Sequence, residues 1–98
     1  MKTYQGDRTI DGIVVTVDGA PLPERRDIVD LSENGFEWSF EGEAPAQLAL
    51  AILADHLGDG DKAKRLYQPF MREIVANFAN EWSMTSDDVS QAVQALGG

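Results

Sequence analysis

The sequence predicts an α+β domain in which an N-terminal antiparallel sheet of three to four short strands packs on a C-terminal three-helix region. Three observations carry that reading. Residues up to about 42 alternate apolar and polar with period two, and from Gly42 onward the apolar positions recur every three or four residues. No repeat and no Ser/Gly/Pro-rich linker divides the 98 residues, so one domain over 1–98 is expected, with a β region over about 1–42 and a helical region over about 44–97.

Taken in order, Tyr4 falls on a short first strand. Ile13 to Val17 is β-branched throughout, puts Ile13, Val15 and Val17 on one face, and is closed by the turn dipeptide Asp18-Gly19. Ala20-Pro21-Leu22-Pro23 reads as a loop or an edge, because proline cannot donate to a central ladder. Asp27 to Leu31 is a further strand candidate, and Asn34-Gly35 has the chemistry of a tight hairpin turn. Phe36 to Glu41 then alternates, which predicts a strand with Phe36, Trp38 and Phe40 inward and Glu37, Ser39 and Glu41 outward.

The first helix is expected from Pro45 to Leu57, since proline suits an opening turn and Gly58 suits the C′ position. Its residues from Ala46 to Ala54 are apolar on nearly every side, so it should be enclosed by the rest of the protein. Ala63, Leu66, Tyr67, Phe70, Met71, Ile74, Val75 and Phe78 predict one long amphipathic helix kinked near Pro69, opened by Asp61 as cap. A last helix should start at Thr85 as N-cap, with Asp87 and Asp88 in its first turn and Val89, Ala92, Val93 and Leu96 inward. Trp82, in the connection, reads as a plug between helices.

Composition narrows the function classes. The net charge is −9, and residues 1–43 carry ten acids against Lys2, Arg8, Arg25 and Arg26. Such a surface repels phosphate backbones, so direct nucleic-acid binding is not expected. Lys62, Lys64, Arg65 and Arg72 lie among Asp59, Asp61 and Glu73 and read as a solvated face. Cysteine is absent, which removes disulfides and thiolate chemistry. The start of the chain has no apolar leader and the longest apolar stretch is short, so a cytoplasmic setting without membrane contact is expected.

No constellation for catalysis or for a cofactor stands out. His56 is the one histidine, which leaves a histidine pair or triad incomplete, and it reads as an exposed imidazole. Asp55, Asp59 and Gly60 fall at positions one, five and six of a calcium loop, but Leu57 and Leu66 occupy positions that need oxygen ligands. Gly42-Glu43 offers no phosphate cradle. Glu37 and Glu41 have a spacing compatible with paired carboxylates, although an outward strand face explains it equally.

Tyr4, Gly6 and Arg8, followed by Gly35-Phe36-Glu37-Trp38 and by Pro45-Ala46-Gln47-Leu48-Ala49-Leu50, form a set of motifs. In them the chain resembles a small family of uncharacterised domains from bacteria, archaea and their phages. Tyr67, Phe70 and Trp82 fit the same pattern, while Ser39, Glu41 and Glu43 stand where that family has small residues. The resemblance implies no activity, only a phage or mobile-element association.

Two function classes follow. The first is a non-enzymatic interaction domain whose acidic face, Asp30, Glu37, Glu41 and Glu43, occupies a basic surface of a host protein, as an inhibitor of a nucleic-acid-binding or defence protein would. The alternative is a small hydrolase or metal-dependent enzyme using Asp55, His56 and nearby glutamates. A homodimer, if Phe40 or Trp82 is exposed, is a third.

Overall fold

The structure, a computed structural model, covers residues 1–98. Its elements are β1 (Thr3–Thr9), β2 (Gly12–Val17), β3 (Ala20–Pro21), α1 (Glu43–Leu57), α2 (Gly60–Glu73), a 3-10 turn at Val75–Asn77, β4 (Trp82–Thr85) and α3 (Ser86–Ala95). The sheet is antiparallel with the order β3-β2-β1-β4, so the α+β class is as the sequence predicts. Its fourth strand, however, comes from residues 82–85, inside the half read as helical.

Strand alternation sets the faces of this sheet. Tyr4, Gly6 and Arg8 pair with Val17, Val15 and Ile13 on one side, and Tyr4 and Gly6 with Met84 and Trp82 on the other. These residues share the inner face, because directly opposite residues project the same way. Asp18 (φ 50°) and Gly19 (φ 84°) make the predicted turn into β3, where Leu22 N–H still reaches Val15 O at 3.1 Å before Pro23 leaves the ladder.

The core is built on α1. Every residue from Pro45 to Ala54 is buried, and Gly58 closes the helix in the left-handed conformation (φ 64°), donating to Ala54 O at 3.0 Å. Burying Leu48, Leu50, Ile52 and Leu53 contributes about 1.5–3 kcal/mol each. Asp59, rather than the expected Asp61, caps α2, because its Oδ1 accepts from Lys62 N–H at 3.1 Å. The helix runs through Pro69 but stops at Glu73. Residues 75–77 tighten to 3-10 and Phe78 is extended, so the predicted stripe ends in a turn. The capping box of α3 joins Thr85 and Asp88 reciprocally, at 3.0 and 3.2 Å, and Val89 and Val93 face the core.

Residues 22–42 form a strap without strands, so neither Asp27–Leu31 nor Phe36–Glu41 is one. Trp38 is fully buried, as its alternation implied, yet Phe40 is 49% exposed and Ser39 has φ 79°, which no strand accommodates. The edge of β1 opposite β2 is taken by β4. That pairing depends on Gly6, where a Cβ would stand 2.2 Å from Trp82 Nε1. Asn34-Gly35 does turn, with Gly35 at φ 84°, but it joins no hairpin. Trp82 is buried, but it opens strand β4 and packs between the sheet and the strap, not between helices: it stacks on Phe78 (4.3 Å) and meets Trp38 edge-on (5.9 Å).

In place of a ladder, the strap's backbone is satisfied by Gln47, which is fully buried on α1. Its Nε2 donates to Glu24 O (2.6 Å) and Val29 O (3.1 Å), and its Oε1 accepts from Leu31 N–H (2.7 Å) and Ser32 N–H (3.3 Å). Four main-chain groups are thereby held by one side chain. A polar group enclosed this deeply must be hydrogen-bonded, and here it defines the path of the strap.

Candidate functional site

The residues expected to form one acidic face divide into two sets. Glu37 points inward. Its Oε1 accepts from Arg8 Nη2 (2.7 Å) and Nε (3.2 Å) and from its own neighbour Trp38 N–H (3.1 Å). Arg8 also donates to Trp38 O (2.6 Å) and Asn80 Oδ1 (2.6 Å), and its guanidinium lies 4.6 Å from the Trp38 ring. Ser39 completes this node by donating from Oγ to Phe78 O and from its N–H to Val75 O. The left-handed Ser39 is held by these two bonds, and Glu37 is a structural partner of Arg8 instead of an outward acid.

Asp30, Glu41 and Glu43 do reach solvent. Asp30 and Glu43, joined by Glu33, line a polar hollow of about 390 Å³ where α1 begins, beside Asn34. Glu41 lies two residues before Glu43, next to the exposed Phe40. The charge balance here follows from pairing. Each cation of residues 1–43 is tied to a carboxylate: Lys2 to Asp55, Arg8 to Glu37, Arg25 to Asp27, and Arg26 to Glu24 and Asp30. The hydrogen bond from Arg25 holds the Asp27 carboxyl below the usual range. Within residues 1–43, Asp7, Asp11, Asp18, Glu33, Glu41 and Glu43 have no ion-pair partner, while the free cations, Lys62, Lys64, Arg65 and Arg72, all belong to α2.

Asp55 and His56 turn to different neighbours. Asp55 Oδ2 accepts from Tyr4 Oη (2.7 Å) and Lys2 Nζ (3.1 Å), tying α1 to the sheet. Burial, and then the hydrogen bond to Asp55, push the Tyr4 phenol well above its ordinary pKa. His56 is half-buried, not exposed as expected, and its Nε2 lies 3.0 Å from Ser90 Oγ on α3. Glu43 stands 12 residues before Asp55 on the same helix, roughly 18 Å along its axis. Glu37 is held at the Arg8 node, so these glutamates do not join Asp55 and His56.

The fold and site define a small α+β domain with a polar node and a buried glutamine behind a strap, and with exposed carboxylates on the strap and at the start of α1. The chain belongs to the family of unknown function DUF6166, whose profile matches residues 4–95. That span holds Tyr4, Gly6, Arg8, Gln47 and Trp82, the residues that fix the inner face and the strap. Comparison with curated proteins and with solved structures returned no match. No helix is long and apolar enough to cross a membrane.

Proposed function

We propose that the domain is a non-enzymatic interaction module that docks the carboxylates of its strap, Asp30, Glu33 and Glu41, together with Glu43 at the start of α1, against a basic surface of a protein partner. One observation supports this reading above others: ion pairing consumes every cation of residues 1–43, so Glu33, Glu41 and Glu43 are left without a partner, beside Asp30, which shares Arg26 with Glu24. Carboxylates held in this way raise the local negative potential, steer association with a cationic partner and disfavour nucleic acid. Glu37 does not belong to that surface. A protein whose own basic surface binds nucleic acid suits this charge. Such a partner fits an inhibitor of a host defence protein, encoded by a phage or mobile element and acting in the cytoplasm.

The test is affinity capture of partners at low and high salt with the wild type and with the variant Asp30→Lys/Glu41→Lys/Glu43→Lys. The proposal expects a partner that is lost both in high salt and on charge reversal. Binding that ignores both would overturn it. Metal analysis and a hydrolase screen of the purified protein address the alternative enzyme reading, which bound stoichiometric metal or turnover would favour.

A further inference from the structure

The sheet has an edge that its own chain does not cover. β3 pairs with β2 only at Val17↔Ala20 and Thr16↔Pro21, with one more hydrogen bond to Val15 O. Pro21 and Pro23 then take the chain away, so Gly12 to Val14 have no neighbour on that side. Because Val15 O points toward β3, alternation aims Ile13 N–H and C=O the same way, into the line β3 vacates. The side chains at this end of the hairpin are also open: Ile10 is fully exposed, Ile13 is 38% exposed and Val14 49%. Apolar surface grouped at an unpaired strand edge is the arrangement that proteins usually blunt with charge.

Beside this edge runs a groove of about 600 Å³, lined by Ile13, Val15, Leu22 and Phe36, with Glu24 and Asn34 on its rim. Asn34 also borders the hollow of Asp30, Glu33 and Glu43, so the apolar groove and the acidic hollow flank the same residue.

From this juxtaposition we infer that β2 accepts an extended segment of a basic partner as an added strand. Its apolar residues enter the groove at Ile13, Leu22 and Phe36, and the lysines or arginines that lie beyond the short paired stretch meet the adjoining carboxylates. This rests on the acidic-docking reading and gives it a binding mode. A second copy of the chain is the disfavoured occupant, because each copy carries a net charge of −9.

The probe is a fluorescein-labelled heptapeptide alternating lysine and valine, followed by fluorescence anisotropy at low salt. A valine opposite Ile13 shares its face and exchanges both ladder bonds with it, whereas the lysine amides point away from β2. N-methylation of the valines should therefore weaken binding about tenfold, the loss of one or two ordinary hydrogen bonds. N-methylation of the lysines should leave it within about twofold on the same ground. Ile13→Lys, on an already open edge, should weaken the unmodified peptide similarly, and a glutamate–valine peptide should not bind.

Equal binding of the two methylated peptides overturns the added strand. If binding then still vanishes on Asp30→Lys/Glu43→Lys, the acidic reading survives without it. No peptide binding at all, alongside a salt- and charge-sensitive partner in the capture experiment, overturns the edge alone. Binding of the glutamate–valine peptide, or a concentration-dependent dimer in sedimentation that Ile13→Lys abolishes, also overturns it. The methylation comparison uses the wild type, so it decides even if Ile13→Lys does not fold.

Discussion

Replacing Gln47 with leucine removes one side chain and leaves four main-chain partners unmet: Glu24 O, Val29 O, Leu31 N–H and Ser32 N–H. An unsatisfied buried polar group costs about 1–3 kcal/mol. Ser32 is buried, whereas Glu24, Val29 and Leu31 are half-buried and regain water in part when the strap loosens. Leucine fills a similar volume and adds apolar burial, which offsets a further portion. The net cost is about 3 kcal/mol, a large part of the roughly 5–15 kcal/mol that stabilises a domain of this size. Tm should fall by about 12–24 °C, at about 4–8 °C per kcal/mol for such a chain. Urea denaturation of Gln47→Leu and the wild type measures the loss, and amide exchange locates it: the Leu31 and Ser32 amides should lose protection before those of α1. A loss below about 1 kcal/mol, with those two amides unchanged, would refute the argument that one glutamine holds the strap.

Gly6→Ala forces a Cβ to within 2.2 Å of Trp82 Nε1, so β4 must shift; a loss of at least about 2 kcal/mol is expected in denaturant melts, with Trp fluorescence changed. Arg8→Lys cannot reproduce the fork that binds Glu37, Trp38 O and Asn80 together, and should cost about 1–3 kcal/mol, with Arg8→Lys/Glu37→Gln less than additive. Tyr4 has its phenol pKa raised by folding, so its contribution is complete below its ordinary value of 10.0 and fades as pH rises beyond that. Stability should fall by up to about 1.4 kcal/mol per pH unit above pH 10, and Tyr4→Phe should remove that slope in melts from pH 9 to 11. Leu50→Asp buries an unpaired charge in α1 and should leave no cooperative transition by circular dichroism.

Much of the fold was legible where the signals are local. Pro45 near the start of α1, Gly58 at its end and the apolar surround between them define a helix within one stretch of chain. Thr85 and Asp88 likewise announce α3, and Asp18-Gly19 announces the turn after β2. Gln47 could have been found the same way, since a lone polar residue in a helix apolar on all sides requires buried partners. The candidate site was less legible. Phe36 to Glu41 alternates because Trp38 is buried and Glu41 is not, and the alternation is silent on Glu37, which faces Arg8 from 29 residues away.

The sequence by itself determined the enclosed helix α1, the capped start of α3 and the turn after β2, because periodicity and capping act within a few residues. Tertiary structure alone decided what the backbone of the strap and the edge of β1 bond to. The edge of β1 could be taken either by the strap or by Trp82 to Thr85, and Gly6, by admitting the indole, gives it to the latter. The strap then lies outside the sheet, Glu37 turns in to Arg8, and the edge of β2 beyond Pro21 stays open. Each outcome follows from partners far apart in sequence, and a local pattern carries no information about their identity.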